Sequence, residues 1–174
     1  TTVPQPTRVG SWHTATPLPS GLVLVVGGRA DDNSSSLQTA ELYDPSTGAW
    51  TNTGSMATGR TRHTATLLNN GQVLVVGGIN FQGSPLTGTN PVTAEIYDPS
   101  TGTWAGTGDM VTARYFHSAT FLANGQVLIA GGTTEVGSTA TASIYDPSSG
   151  TFATTNSLRS EERVVGDGCC HRRA

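Results

Sequence analysis

Read for its apolar positions, the chain repeats one order of short runs three times. Each begins at a histidine, His13, His63 or His117, with small or polar residues alternating with apolar ones: H-T-A-T-P-L, H-T-A-T-L-L and H-S-A-T-F-L. A period of two predicts a strand. Asn70-Gly71 and Asn124-Gly125 then predict type I′ hairpin turns, and Pro19-Ser20-Gly21 is a weaker version of the same signal. Next come L-V-L-V-V, Q-V-L-V-V and Q-V-L-I-A, too short for helices and rich in β-branched residues. They predict strands buried on both faces.

Each of these runs ends in a glycine pair, Gly27-Gly28, Gly77-Gly78 or Gly131-Gly132. Glycine weakens a strand unless something needs the missing side chain, and the close approach of neighbouring backbone is the expected reason. A third strand is predicted in T-A-E-L-Y, T-A-E-I-Y and T-A-S-I-Y, closed by an Asp-Pro-Ser turn, and a fourth starts at Ala49-Trp50, Thr103-Trp104 and Thr151-Phe152.

The copies share a ruler. Each histidine lies 14 positions before the first glycine of its pair, and Tyr43, Tyr97 and Tyr145 lie 7 positions before Trp50, Trp104 and Phe152. Only the segment between glycine pair and tyrosine changes length. The ruler therefore describes fixed strands with one elastic loop per copy.

Four antiparallel strands in roughly 50 residues form a blade, and here the chain resembles the kelch repeat, with Arg60 and Arg114 before the first strand, the glycine pairs, the Tyr-Asp steps and the tryptophans. The resemblance covers about residues 10–158. It implies an all-β, kelch-type β-propeller, here incomplete, with about three four-stranded antiparallel blades. The expected units are 1–12, the outgoing strand of a preceding blade; repeats at 13–60, 61–114 and 115–159; and an atypical tail at 160–174. In the first repeat Gly10 stands where the arginine is expected, leaving Arg8 as a displaced substitute; in the tail Glu162 and Val165 stand where the ruler expects Arg and His. A truncated or shifted reading frame is the expectation there. Three blades do not close a ring, so the expected covers for their apolar faces are the remaining blades of a longer chain or self-association.

Composition narrows the function. Charged residues make up 12% of the chain and the net charge is −3, which gives no electrostatic reason to expect nucleic acid. No apolar run reaches the about 18 residues of a membrane-spanning helix. Cys169 and Cys170 are adjacent, so they make neither a disulfide framework nor a spaced metal motif. Loops of unequal length on equal scaffolds are the expected place for recognition. The candidates are Arg29, Asp31, Asp32 and Asn33 in the first loop, Asn80, Phe81 and Gln82 in the second, and Thr133, Thr134 and Glu135 in the third, on a rim shared with Arg60, Arg62 and Arg114. The kelch resemblance implies that ligands or protein partners bind there.

His13, His63 and His117 are expected to be structural, each satisfying backbone groups beside the arginine of its repeat. Arg60 and Arg114 are expected chiefly to brace neighbouring blades, with anion binding as the alternative. The aspartates after the tyrosines are expected to cap turns. The leading function is a non-catalytic module binding a protein or glycan, without cofactor or metal, at a cell surface or outside the cell. The alternative is an arc of a copper radical oxidase similar to galactose oxidase, because Arg114 to Ser118, R-Y-F-H-S, resembles a segment of that family in which Arg, Tyr and His occur together. Phe116, not tyrosine, precedes His117, so the resemblance lacks a copper-coordinating phenol.

Overall fold

The computed structural model describes residues 11–30, 35–82 and 87–158. The expected outgoing strand up to residue 10, Arg8, the candidates Asp31, Asp32 and Asn33, and the tail with its cysteines lie outside them.

The first sheet runs β1 (Thr14–Pro17), β2 (Val23–Val26), β3 (Ala40–Asp44) and β4 (Ala49–Asn52), each antiparallel to the next. The second has β5 (Thr64–Leu67) and β6 (Val73–Val76), then a small hairpin, β7 (Asn80–Gln82) and β8 (Thr87–Thr89), before β9 (Ala94–Asp98) and β10 (Thr103–Gly106) complete it. The third repeats this plan with β11 (Ser118–Phe121), β12 (Val127–Ala130), the hairpin β13 (Thr133–Thr134) and β14 (Gly137–Ser138), β15 (Ala142–Asp146) and β16 (Thr151–Thr155). No helix occurs among the described residues. The first strands lie side by side, β1 against β5 and β5 against β11, so the sheets fan out from them as blades.

The Asn-Gly turns differ from expectation. Leu68 accepts from Gly71 N–H at 3.0 Å and donates to the Gln72 carbonyl at 2.8 Å, with Gly71 at φ 82°. Asn70 is not at positive φ; its Oδ1 accepts from Gln72 N–H at 3.1 Å. This is a type I turn followed by a left-handed glycine, the three-residue hairpin rather than type I′. Leu18–Leu22 and Leu122–Gln126 close in the same way, so Pro19 serves as the ordinary second residue of a type I turn.

Blade packing explains the apolar runs. Val73 and Val75 join Leu24, Val26 and Met56 in a core between the first two blades, while Leu74 and Val76 join Val127 and Ile129 in a core between the second and third. Alternate side chains of one strand thus serve two interfaces, and β6 is buried throughout. In β12, Leu128 and Ala130 are only half-buried, because no described segment covers that face.

The first glycines of the first two pairs sit where blades meet, and the second glycines lie against the segment entering their own blade. A Cβ on Gly77 would lie 2.5 Å from the Arg114 carbonyl and 2.8 Å from His117 Cε1, and one on Gly27 would meet Arg60 and His63 in the same way. The tyrosines reach backward: Tyr97 Oη lies 2.8 Å from Thr53 Oγ1 and Tyr145 Oη 2.8 Å from Thr107 Oγ1. Tyr97 also packs on Trp104 at 5.1 Å between ring centres, and the Trp104 indole donates to the Gly54 carbonyl at 2.7 Å. Phe152, packed on Tyr145, has no such donor. Asp44, Asp98 and Asp146 accept from Ser46, Ser100 and Ser148 within their turns, which holds their pKa values below the usual carboxylate range.

Candidate functional site

Arg60 and Arg114 are not surface groups of the rim: they are 0% and 1% exposed. Each approaches its blade from the segment before the first strand and extends inward, because backbone acceptors await it there. Arg60 Nη1 donates to the carbonyls of Gly77 at 3.1 Å and Thr93 at 2.8 Å, and Nη2 to Thr93 Oγ1 at 3.0 Å and Glu95 Oε1 at 2.8 Å. Arg114 makes the matching bonds to Gly131 and Thr141. The backbone carbonyls of Arg60 and Arg114 meanwhile accept from Gly28 and Gly78 of the preceding blades, both at 2.9 Å. The bracing they provide therefore works through side chain within a blade and through backbone between blades.

The histidines also differ from expectation. His63 and His117 are buried, and their partners are side-chain hydroxyls of the preceding blade: Thr14 for His63 and Thr64 for His117, each at 2.9 Å from Nε2. Nδ1 of both is buried without a hydrogen bond. Burial, and then the nearby Arg60 charge, lowers the His63 pKa to about 3, an effect that the Arg60 carbonyl offsets only in part. Burial and Arg114 lower His117 to about 4. His13 is exposed.

The variable loops do meet on one edge. The residues just before the histidines pair with the residues just after the glycine pairs: Thr61 bridges Ile79, Tyr115 bridges Thr133, and Arg29 N–H donates to the Ser11 carbonyl at 2.8 Å. Ser36 of the first loop is tied to the second, donating from N–H to the Phe81 carbonyl at 2.9 Å and from Oγ to the Ile79 carbonyl at 3.0 Å. A cleft of about 540 Å³ opens here, with Leu37, Thr58, Asn80 and Gln82 among its walls. A second, of about 410 Å³, lies between the next two blades beside Val111, Thr112, Thr134 and Glu135. Glu135 is exposed, whereas Thr134 is buried and its hydroxyl donates to the Gly137 carbonyl at 3.0 Å.

Along the same edge, Trp12, Arg62 and Phe116 are the non-glycine residues at positive φ among those described, at 63°, 57° and 55°. All three stand immediately before a repeat histidine. A left-handed backbone is costly for such side chains, and hydrogen bonds between blades offset it. Arg62 N–H donates to the Trp12 carbonyl at 3.3 Å, and Phe116 N–H to the Arg62 carbonyl at 3.2 Å. The side chains form a row with the Arg62 guanidinium 4.5 Å from the Trp12 ring centre and 4.7 Å from that of Phe116. Phe81 lies 5.9 Å from Arg62 and 4.9 Å from Arg29. Trp12 and Phe116 remain 41% and 58% exposed.

The kelch motif matches residues 13–57 and 60–110, more than half of the chain. The chain belongs to the kelch family. No curated protein matches it. A solved structure of YjhT superposes with a TM-score of 0.71 at 16% identity, over 90% of this chain and 54% of that one. That likeness shows the fold, and this chain spans about half the length of YjhT.

Of the kelch rim residues expected from the sequence, the structure brings Arg29, Arg62, Asn80, Phe81 and Gln82 to one edge and withdraws Arg60 and Arg114. Thr133 is taken up in its bridge to Tyr115. Trp12 was not singled out from the sequence, and Phe116 entered there only as the residue that replaces a tyrosine before His117, not as part of the rim. Their shared signal was position, one residue before each kelch histidine, but Trp, Arg and Phe have no chemistry in common to mark it.

Proposed function

We propose that this kelch module is a non-catalytic binding unit that takes a protein or glycan ligand on the rim formed by its unequal loops. The supporting observation is the Trp12–Arg62–Phe116 row. It combines exposed aromatic area with a cation on backbone tied rigidly between blades, so little side-chain freedom remains to be lost on binding. The loops flanking the row differ from blade to blade, as a recognition surface on a common scaffold requires. The cell surface or the extracellular space is the proposed setting.

The test begins with glycan and peptide arrays, followed by calorimetry of the hits. Replacing residues 29–36 or 80–89 by a short Gly-Ser link, or making Arg62→Ala, should abolish binding while the strand signature in circular dichroism persists. Binding untouched by all three replacements would remove the rim as the site.

A further inference from the structure

The arginines of the second and third blades are held in the same way, with one difference. Arg60 Nη2 meets Glu95 Oε1 at 2.8 Å, and the Glu95 carboxylate also accepts from the amides of Ala57 at 2.7 Å and Thr58 at 3.3 Å. In the third blade the residue at that place is Ser143, paired with Ile129 as Glu95 is paired with Val75, and likewise buried. Serine ends at Oγ, where glutamate continues to its carboxylate.

No described side chain stands in for that carboxylate. Arg114 keeps its bonds to Gly131 and Thr141 but has no acidic partner among the described residues; Nε is buried without a hydrogen bond in Arg60 and Arg114 alike, so the difference between the two blades lies at Nη2, which meets a carboxylate only in Arg60. The amides of Val111 and Thr112, which match those of Ala57 and Thr58, find no acceptor among the described residues. A guanidinium stays charged at any working pH, and a buried charge without its counter-charge is costly. Burial lowers the pKa of Arg114 with nothing opposing it, whereas Glu95 opposes it for Arg60.

We propose that this position binds a small planar anion of carboxylate chemistry, formate or bicarbonate in size, joining the Arg114 guanidinium to the amides of Val111 and Thr112. The second blade supplies the template: Glu95 shows a carboxylate satisfying the equivalent donors. Val111 and Thr112 line a cleft of the rim, so the same group can reach their amides as a free ion or as the carboxylate end of a larger ligand. The site requires only the packing of two blades and is independent of the rim reading.

Thermal unfolding tests it, in buffer of constant ionic strength whose only other anion is a bulky sulfonate. Formate should raise the midpoint of the wild type saturably, by about 2–4 °C. Ser143→Glu should raise the midpoint without formate and abolish the formate response, while Ser143→Ala should keep that response. Glu95→Ser should lower the midpoint and gain a second formate-dependent recovery, and this variant decides the matter if Ser143→Glu does not fold. Benzoate acting like formate assigns the site to ligand ends; formate acting alone assigns it to a free ion. A wild type indifferent to both anions, or a formate response that survives Ser143→Glu, overturns the proposal and leaves hydration as the way Arg114 is satisfied.

Discussion

Nε2 of His63 in the second blade lies 2.9 Å from Thr14 Oγ1 in the first, and His117 repeats that contact onto Thr64. The histidines are thus part of the seam between blades, and their ionisation is set against folding. Burial holds the folded pKa values at about 3 for His63 and about 4 for His117, below an unfolded value of 6.5. A depressed histidine contributes stability in full above its unfolded pKa, and that stability is lost as pH falls from there toward the folded value. Between pH 7.5 and 5.5 each should cost roughly 1.4 kcal/mol. Denaturant titrations at the two pH values should show the loss, and His63→Gln should remove about half of it. A wild type equally stable at both would contradict the burial argument.

Gly77 and Gly125 are both at positive φ, yet only Gly77 is pressed against backbone of a neighbouring blade, whereas Gly125 has just the end of the Asn69 side chain at 3.8 Å. Gly77→Ala should cost at least about 3 kcal/mol, because its Cβ would collide with the Arg114 carbonyl as well as strain the backbone. Gly125→Ala meets no atom closer than 3.8 Å and should cost about 1 kcal/mol. Urea midpoints of the two variants separate these cases.

Trp104 supplies an indole donor to the Gly54 carbonyl that Phe152 cannot supply to the matching Gly108. Trp104→Phe should destabilise by about 1–2 kcal/mol, and Phe152→Trp should stabilise by about 0.5–1 kcal/mol. Opposite shifts in melting temperature would support equivalence of the two seams; a destabilising Phe152→Trp would reject it.

Arg62 has two opposing terms. Removing its side chain loses cation–π contact of about 1 kcal/mol, whereas glycine relieves the left-handed backbone by a similar amount. Arg62→Gly should therefore leave the melting temperature almost unchanged, while Arg62→Ala should lower stability by about 1 kcal/mol. Calorimetric unfolding of both variants checks the pair.

The strands, their order and the glycine pairs were legible in the sequence because they follow from periodicity and a repeated spacing. The turns were legible only as turns: Asn70-Gly71 suits two hairpin types, and the Asn70 side chain selects one by accepting from Gln72. The rim was half legible. Loop lengths located it, but the sequence places Arg60 and Arg62 two residues apart without showing that one guanidinium enters the blade and the other lies on its edge. Glu95 held a clue to Arg60, since a carboxylate on a predicted strand needs a cation once the blades bury it. Trp12 and Phe116 share a backbone geometry and no residue type, and geometry of that kind leaves no compositional trace.

Because the carbonyl of Arg60 fastens Gly28 while its guanidinium serves Gly77 and Thr93, the chain's repeating unit and its mechanical unit are offset by part of a blade. Shuffling whole modules among related genes, in the laboratory or in evolution, would keep both attachments of an arginine only where the donor and recipient agree on each side of the joint. The offset makes the arginine a checkpoint on which blades can succeed one another.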